Sequence, residues 1–134
     1  MNRAFRAQDL AAAEALLVPG DAVVVLGSED GELAVGRASA VQMLRALFSR
    51  PERYWWTLPQ PHVRVHGDTA WLCGEGELHI QPVGPIDVQA SCETITYRLT
   101  AVLVRVNGVW QWAHYHGSEP VPPVPAPATS DDAA

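Results

Sequence analysis

The alternation of apolar and polar residues is clearest between residues 93 and 120, where two β-branched runs flank Asn107-Gly108. Asn-Gly between such runs favours a type I′ turn, because both central residues of that turn need positive φ. A two-residue turn fixes the register, so that Arg98 is expected to face Gly117. The pattern predicts a long antiparallel hairpin with two largely apolar faces, covered on both sides.

The predicted register divides the hairpin into two faces, because side chains alternate along a strand. The first face carries Leu99, Ala101, Leu103, Arg105, Trp110, Trp112, His114 and His116. The second face carries Arg98, Thr100, Val102, Val104, Val106, Val109, Gln111, Ala113 and Tyr115. This assignment assumes a regular ladder between Val88 and Gly117. One extra residue would swap the faces and bring His114 and His116 inside.

The first half of the chain predicts an alternation of helix and strand. Helical spacing, a valine-rich run, a turn sequence and a second helical pattern occupy residues 2–18, 22–26, 28–31 and 36–50 in turn. Pro19-Gly20 ends the first helix, and Pro51 ends the second because the residue before a proline disfavours helix. The pattern predicts helix, buried strand, turn and helix.

From residue 54 to 118 the pattern is that of β-strands. Further extended segments are predicted at 54–58, 62–66 and 69–81. Gly74 and Gly76 indicate a bend where the sheet curves. Helices followed by strands predict an α+β fold, in which two or three helices pack in the concave face of a curved antiparallel sheet of four to six strands.

Composition narrows the class of protein and of partner. A chain of 134 residues that is 48% hydrophobic has enough apolar surface for one core. Its net charge of −6, without a basic patch or a glycine-rich phosphate loop, argues against a nucleic-acid partner. The start MNRAFRAQDL lacks a signal-peptide core and no run reaches transmembrane length, so a cytoplasmic protein with no membrane contact is expected. The domain is predicted at 1–118, with a disordered Pro/Ala-rich tail at 119–134.

The cysteines and histidines are the residue types in this chain that most often bind metals. Cys73 and Cys92 lack metal-ligand spacing and are expected to be buried free thiols, with a disulfide as the open alternative. His114 and His116 point the same way along one strand, as two metal ligands do, but a site would need a third ligand, for which His79 and Glu77 are the candidates. A hydrogen-bonded histidine pair is the favoured interpretation. Neither a metal nor another cofactor is expected.

Three segments carry a resemblance to a known superfamily. The strand at 22–26 with its turn, Gly-Arg and helix resembles the front half of SnoaL-like, nuclear transport factor 2-like proteins. HVRVHGDTAWLCGEGEL resembles their central hairpin, and NGVWQWAHYHGSEP resembles their last strand, where Gly-x-Trp precedes His-x-His-x-Ser. That closing motif is also similar to the association domain of calcium/calmodulin-dependent protein kinase. The resemblance implies a cone with a pocket between sheet and helices, and a dimer or larger assembly.

The best-known enzyme of this superfamily is ketosteroid isomerase, and its catalytic set does not carry over. Its general base, an aspartate, corresponds to a position near Leu26, where no carboxylate stands. Its oxyanion-hole aspartate and tyrosine correspond to positions near Val102 and Asn2. Moving a proton on carbon needs both a base and a hydrogen-bond donor. Isomerase chemistry of that type is therefore not expected.

Three classes of function stay open. The favoured one is the binding of a small apolar or amphipathic ligand in the cone. The second is a small enzyme of the cyclase, isomerase or hydratase kind with a different catalytic arrangement. The third is an oligomerisation module. Whether the protein is an enzyme is left undecided by the sequence.

The hairpin register also predicts the pocket and the dimer interface. The pocket is predicted on the second face, from Arg98, Thr100, Val102, Ala113 and Tyr115. Glu93, Tyr97, Arg98 and Tyr115 could line a pocket and orient a polar ligand, and Tyr115 and Arg98 are expected to supply its polar groups. Secondary candidates are His114, His116, Glu93 and His62. A homodimer is predicted through an apolar patch on the first face, made of Leu99, Leu103, Trp110 and Trp112.

Overall fold

The structure, a computed structural model, describes residues 1–84 and 91–122, and in that part of the chain it contains three α-helices and seven strands. The helices are α1 (Asn2–Ala7), α2 (Leu10–Ala15) and α3 (Arg37–Phe48). The strands are β1 (Val24–Leu26), β2 (Leu33–Val35), β3 (Glu52–Thr57), β4 (His62–His66), β5 (Thr69–Pro82), β6 (Glu93–Val106) and β7 (Val109–Ser118). Val88 and residues 123–134 of the predicted tail lie outside the described residues.

The seven strands form one sheet in the order β2-β1-β7-β6-β5-β3, and β4 pairs with the first part of β5. All neighbouring strands are antiparallel except β1 and β7, which run parallel. The two ends of this order do not pair with each other, so the sheet curls without closing into a barrel. The α+β prediction is confirmed, although the strand count exceeds the expected four to six.

The helix predicted at residues 2–18 is broken into α1 and α2. Gln8 has left-handed backbone (φ 51°), and the Asp9 side chain accepts a hydrogen bond from Ala12 N and caps α2. The Gln8 amide donates to the carbonyl oxygens of Phe48 and Glu52, which ties the break to the end of α3 and the start of β3. The apolar spacing runs through both helices, so it could not reveal this break.

Strand β2 was not predicted from the sequence. It has only three residues, of which Ala34 is buried while Leu33 and Val35 are exposed, so its apolar character does not alternate. The strand predicted at 22–26 is shorter than expected because residues 20–22 form a 3₁₀ turn. Strand β2 has a consequence for the site, because it turns the chain back beside β1.

The hairpin turn forms as predicted, but the register beyond it does not. Asn107 and Gly108 have positive φ (50° and 80°), as a tight turn of this sequence requires. Pairing follows the prediction as far as Leu103 with Trp112, and the next pair is Val102 with His114. Ala113 is therefore the extra residue of a β-bulge. Every later pair is displaced by one residue.

The observed faces of β6 are the reverse of those predicted. Leu99 and Ala101 are only 1% and 2% exposed and face the helices, whereas Arg98 and Thr100 are exposed on the outer face of the sheet. Tyr115 pairs with Ala101 and so still lies on the inner face. The bulge was expected to bring His114 and His116 inside instead. They pair with Val102 and Thr100, in the outer set, because the β6 faces are reversed as well, although His114 also borders the cavity described below.

Three of the four residues in the patch predicted for the dimer interface belong to or pack against the monomer's own core. Leu99 is buried, and Leu103 and Trp112 pack against the buried cluster. The guanidinium of Arg105 lies over the Trp110 ring, 5.3 Å from its centroid. These four side chains therefore do not form one exposed apolar surface.

Both cysteines were expected to be buried, and this prediction is wrong. Cys73 and Cys92 are free thiols on exposed residues. Cys73 pairs with Thr100 of the outer set, which explains its exposure. No helix in the described ranges 1–84 and 91–122 is long and apolar enough to cross a membrane.

Candidate functional site

A cavity of about 280 Å³ lies between the inner face of the sheet and the helices. Much of its wall is apolar and comes from α1, α3 and the middle of the sheet. These apolar wall residues include Phe5, Leu17, Val23, Met43, Leu44, Trp56, Leu78 and Trp112. Ligand sites in proteins are typically apolar cavities with a few polar groups, so this cavity is the leading candidate.

Helix α1 is held against β3 at one end of the cavity. The Asn2 side chain donates to Trp56 O and accepts from Trp56 N at 3.1 Å. Phe5 then meets the Trp56 ring edge-on at 4.9 Å and the Phe48 ring at 5.0 Å. Such edge-to-face packing favours one relative position of the rings. The cavity wall at this end is therefore fixed by both polar and aromatic contacts.

Two tyrosine hydroxyls meet at the cavity wall. Tyr97 Oη and Tyr115 Oη lie 3.1 Å apart within hydrogen-bond distance. The Tyr115 ring lies between those of Trp56 and Trp112, with centroids at 5.7 and 6.0 Å. A Cβ built on Gly117 would lie 1.8 Å from Tyr97 Oη. Gly117 therefore provides the space through which Tyr97 reaches Tyr115.

The two phenols are held in the neutral form. Burial raises the pKa of Tyr97, and the negative charges of Glu32 and Glu119 add to this increase. Burial raises the pKa of Tyr115 well above its usual value, with Tyr97 and Glu32 contributing in the same direction. At neutral pH both side chains therefore carry O–H groups that can donate to a ligand oxygen.

The β1–β2 connection brings an acidic side chain back toward the cavity. A Cβ on Gly27 would lie 1.9 Å from Glu32 Oε2, so the Glu32 side chain lies directly across the Gly27 backbone. Arg50 donates to Glu29 through two hydrogen bonds of 2.6 and 2.8 Å and lies 3.5 Å from Glu32 Oε1. This bonding with Arg50 lowers the pKa of Glu29. Arg50 thus fixes the connection at the rim of the cavity.

A second acidic position at the rim is held by a tyrosine. Tyr54 Oη donates to Glu52 Oε2 at 2.6 Å. Burial raises the pKa of Tyr54, and the bond to Glu52 raises it further. Glu93 and Glu119 also line the cavity, and Glu119 lies 3.4 Å from the Ser28 hydroxyl. The apolar interior is therefore bordered by carboxylates.

The predicted pocket residues fall into two groups. Ala113 and Tyr115 line the cavity, as do the secondary candidates His114 and Glu93. Their role in ligand binding stays a prediction. The other predicted residues do not line it, namely Arg98, Thr100, Val102, His116 and His62. The bulge at Ala113 and the reversed faces of β6 account for the four of these residues that lie on β6 and β7, whereas His62 lies on β4.

Arg98 was expected to orient the ligand and instead lies on the outer face. Its Nε donates to Glu75 Oε2 at 2.8 Å, and both side chains are more than half exposed. Tyr97, one residue earlier on β6, lies on the inner face and lines the cavity. The polar partner of Tyr115 is therefore the residue directly before the expected partner Arg98, on the opposite face of β6.

Sequence reasoning missed Glu32, Arg50 and Glu119 as cavity residues. Glu119 continues the inner alternation of β7, two residues beyond Gly117, and this period could have revealed it. Glu32 reaches the site only because β2 forms, and no local pattern of residues indicates β2. Arg50 follows α3 directly, where only its contacts with Glu29 and Glu32 reveal its role.

The histidines do not assemble a metal site in the part of the chain that the structure describes, where no group of three or more His, Cys, Asp or Glu could hold an ion. His79 instead lies within hydrogen-bond distance of the Thr57 and Thr94 hydroxyls, at 3.0 and 3.3 Å. Its ring also stacks on Trp55, with centroids 5.1 Å apart. His79 therefore belongs to the packing of the outer face.

The whole described fold corresponds to one known protein family. The family model described as a SnoaL-like domain matches residues 1–122. The chain belongs to the SnoaL-like family. The resemblance carried by the closing motif is thereby confirmed for almost the whole chain. No curated protein sequence matches this SnoaL-like chain.

Solved structures share the fold at low sequence identity. A candidate dehydratase of the nuclear transport factor 2-like family from Streptomyces avermitilis has a TM-score of 0.74 and 21% identity, with 90% of each chain covered. A candidate calcium/calmodulin-dependent protein kinase II association domain from Xanthomonas campestris has a TM-score of 0.71 and 18% identity, covering 92% of this chain and 81% of that one. A ketosteroid isomerase-like protein from Erwinia carotovora atroseptica has a TM-score of 0.65 and 20% identity, covering 90% and 88%. At these identities the likeness extends to the fold alone.

Proposed function

We propose that this SnoaL-like chain binds a small, largely apolar molecule in its cavity, with an oxygen atom of the ligand at the tyrosine pair. The observation that carries the proposal is the pair of neutral hydroxyls, Tyr97 and Tyr115, at the wall of an apolar cavity of about 280 Å³. Two hydroxyls that bond to each other use one of their two hydrogens. The second hydrogen remains for an acceptor on a ligand.

Binding of naphthalen-2-ylmethanol, followed by isothermal titration calorimetry, tests this proposal. The probe has an apolar body and one neutral oxygen. Tyr115→Phe removes one hydroxyl and should weaken binding about fivefold, since a hydrogen bond contributes about 1 kcal/mol net. Thr100→Val removes a hydroxyl from the outer face and should leave the affinity unchanged. Absence of binding, or equal weakening by both variants, would refute the proposal.

A second candidate function is proton transfer on carbon. Glu32 lines the same cavity as Tyr97 and Tyr115, and its charge helps to raise the pKa of both tyrosines. With a ketone bound, Glu32 would take a proton from the carbon beside the carbonyl. The C–H electron pair would form the C=C bond of an enolate, whose negative oxygen the tyrosine O–H groups would stabilise. The dehydratase and isomerase-like names of two structural neighbours are compatible with this candidate.

Hydrogen–deuterium exchange of β-tetralone in D₂O, followed by NMR, tests the enzymatic candidate. The wild-type protein should accelerate exchange beside the carbonyl. Glu32→Gln should reduce the accelerated rate by about 100-fold, within the usual contribution of a general base. Glu77→Gln, a matched change on the exposed side of β5, should retain it. Exchange no faster than in buffer would exclude this chemistry for the probe's substrate class.

We also propose a homodimer, through a surface other than the one predicted. Trp71 is 47% exposed on the outer face, where it pairs with Val102 in a row that continues to His114. An exposed tryptophan on an open sheet face is typical of an interface. Sedimentation should give a dimer at micromolar concentration and a monomer for Trp71→Glu; a monomeric wild type would refute it. A dimer of this kind would also be compatible with a function as an oligomerisation module.

The cytoplasmic location stays a prediction.

A further inference from the structure

Negatively charged groups outnumber positively charged groups among the residues that line the cavity. Five carboxylates line it, those of Glu29, Glu32, Glu52, Glu93 and Glu119. The positive groups among the described lining residues are the Arg50 guanidinium and the α-amino group of Met1. His114 also lines the cavity, but it pairs with Val102 of the outer set. The cavity is therefore bordered mainly by negative charge.

Neither positive group is free to attract an anionic ligand. Arg50 forms two short hydrogen bonds with Glu29 and a longer contact with Glu32, so its charge is already balanced. Burial lowers the pKa of the Met1 α-amino group and favours its neutral form. Within residues 1–84 and 91–122, the three remaining carboxylates form no ion pair, namely Glu52, Glu93 and Glu119.

The cavity that these carboxylates border also has aromatic walls. Trp56, Trp112 and Tyr115 present adjoining rings to it. Aromatic faces attract cations through the ring quadrupole, and more strongly where water is excluded. The tyrosine oxygens can also accept a hydrogen bond from an N–H group. Apolar, aromatic and negatively charged groups thus border the same cavity.

On the basis of the ligand-binding function proposed above, we propose that the cavity selects amphipathic amines over carboxylates of the same apolar body. A ligand carboxylate would lose its hydration beside several like charges, while the Arg50 guanidinium is already paired with Glu29. An ammonium group in the same place gains attraction from the carboxylates and the rings. The apolar body contributes equally in both cases.

Three probes that share a naphthalene body test this selection. They are naphthalen-2-ylmethanol, naphthalen-2-ylmethylamine and 2-naphthoate, titrated by calorimetry near neutral pH at low and high salt. The amine should bind at least about tenfold more tightly than the carboxylate, because opposite and like charges separate the two ligands. Added salt should narrow the difference, since mobile ions screen the partly exposed carboxylates.

Charge-neutralising variants locate the effect. Glu119→Gln and Glu93→Gln should each reduce the amine-to-carboxylate affinity ratio severalfold, whereas Glu77→Gln on the outer face should leave it unchanged. If the alcohol binds but the amine and carboxylate bind equally, charge selection is refuted and the ligand-binding function stands. A ratio unchanged in both cavity variants likewise refutes the assignment. If no probe binds, the ligand-binding function fails and this inference fails with it.

Discussion

The inner and outer faces of β6 alternate residue by residue and yet differ in kind. Tyr97, Leu99 and Ala101 are each less than 5% exposed and face the helices or the cavity. The neighbouring Arg98 and Thr100 are exposed, and Arg98 forms an ion pair with Glu75. Exposed ion pairs contribute about 0–1 kcal/mol to stability, less than the burial of a leucine side chain. One strand therefore supplies stability and the site from one side only.

The largest effect is expected when a side chain is removed from the inner face and compared with removal from the outer face. Leu99→Ala should lower the free energy of unfolding by about 2–5 kcal/mol, because it deletes a fully buried side chain and leaves a cavity. Thr100→Ala, one residue away on the outer face, should change it by less than about 0.5 kcal/mol. Urea denaturation measures both values. Equal effects would mean that the faces are assigned wrongly.

A smaller effect is expected from adding one methyl group to the inner face. Gly117→Ala would place a Cβ against Tyr97 Oη, so that ring must move away from Tyr115. The expected loss is about 1–3 kcal/mol, the usual range for overpacking a core. Gly84→Ala is the matched control, since nothing lies within 4 Å of its Cβ. Two urea curves with the same midpoint would show that Tyr97 does not need the space at Gly117.

The smallest effect concerns pH. The pKa values of Tyr97 and Tyr115 are raised in the folded state by burial, so the unfolded chain releases these protons first. Their contribution to stability is fully present below the unfolded value of about 10 and is lost as pH rises through the folded values. Chemical denaturation at a series of alkaline pH values should show this loss. The double variant Tyr97→Phe/Tyr115→Phe should lose less stability over the same range, and an equal loss would contradict the account.

Much of the fold was readable from local sequence signals. Asn107-Gly108 fixed the turn, and β4 was predicted with its observed bounds. The bulge at Ala113 was not predictable from the sequence. When both faces of a strand are apolar, a shift of one residue exchanges one apolar face for another, so the sequence pattern does not reveal it. The same ambiguity concealed the reversed faces of β6. Only packing against the helices decides which apolar face is inside.

The candidate site was predictable in part for the same reason. Tyr115 was identified because the two errors cancel at its position. The missed bulge and the reversed faces of β6 together leave Tyr115 on the inner face. Its partner Tyr97 directly precedes Arg98, the residue that the predicted register placed inside, and lies on the opposite face of β6. Glu32 depends on the short strand β2 and on the Gly27 backbone, and contacts of that kind are formed by tertiary structure.

The parallel pairing of β1 with β7 has a consequence for how the protein folds. Val24 pairs with His114, and these residues are about 90 positions apart in the chain. Contacts between such distant segments require the closure of a long loop, which slows folding. During synthesis, the edge of β1 that pairs with β7 stays unpaired until β7 has left the ribosome. The cavity, which lies between these elements, is therefore completed among the last parts of the nascent domain.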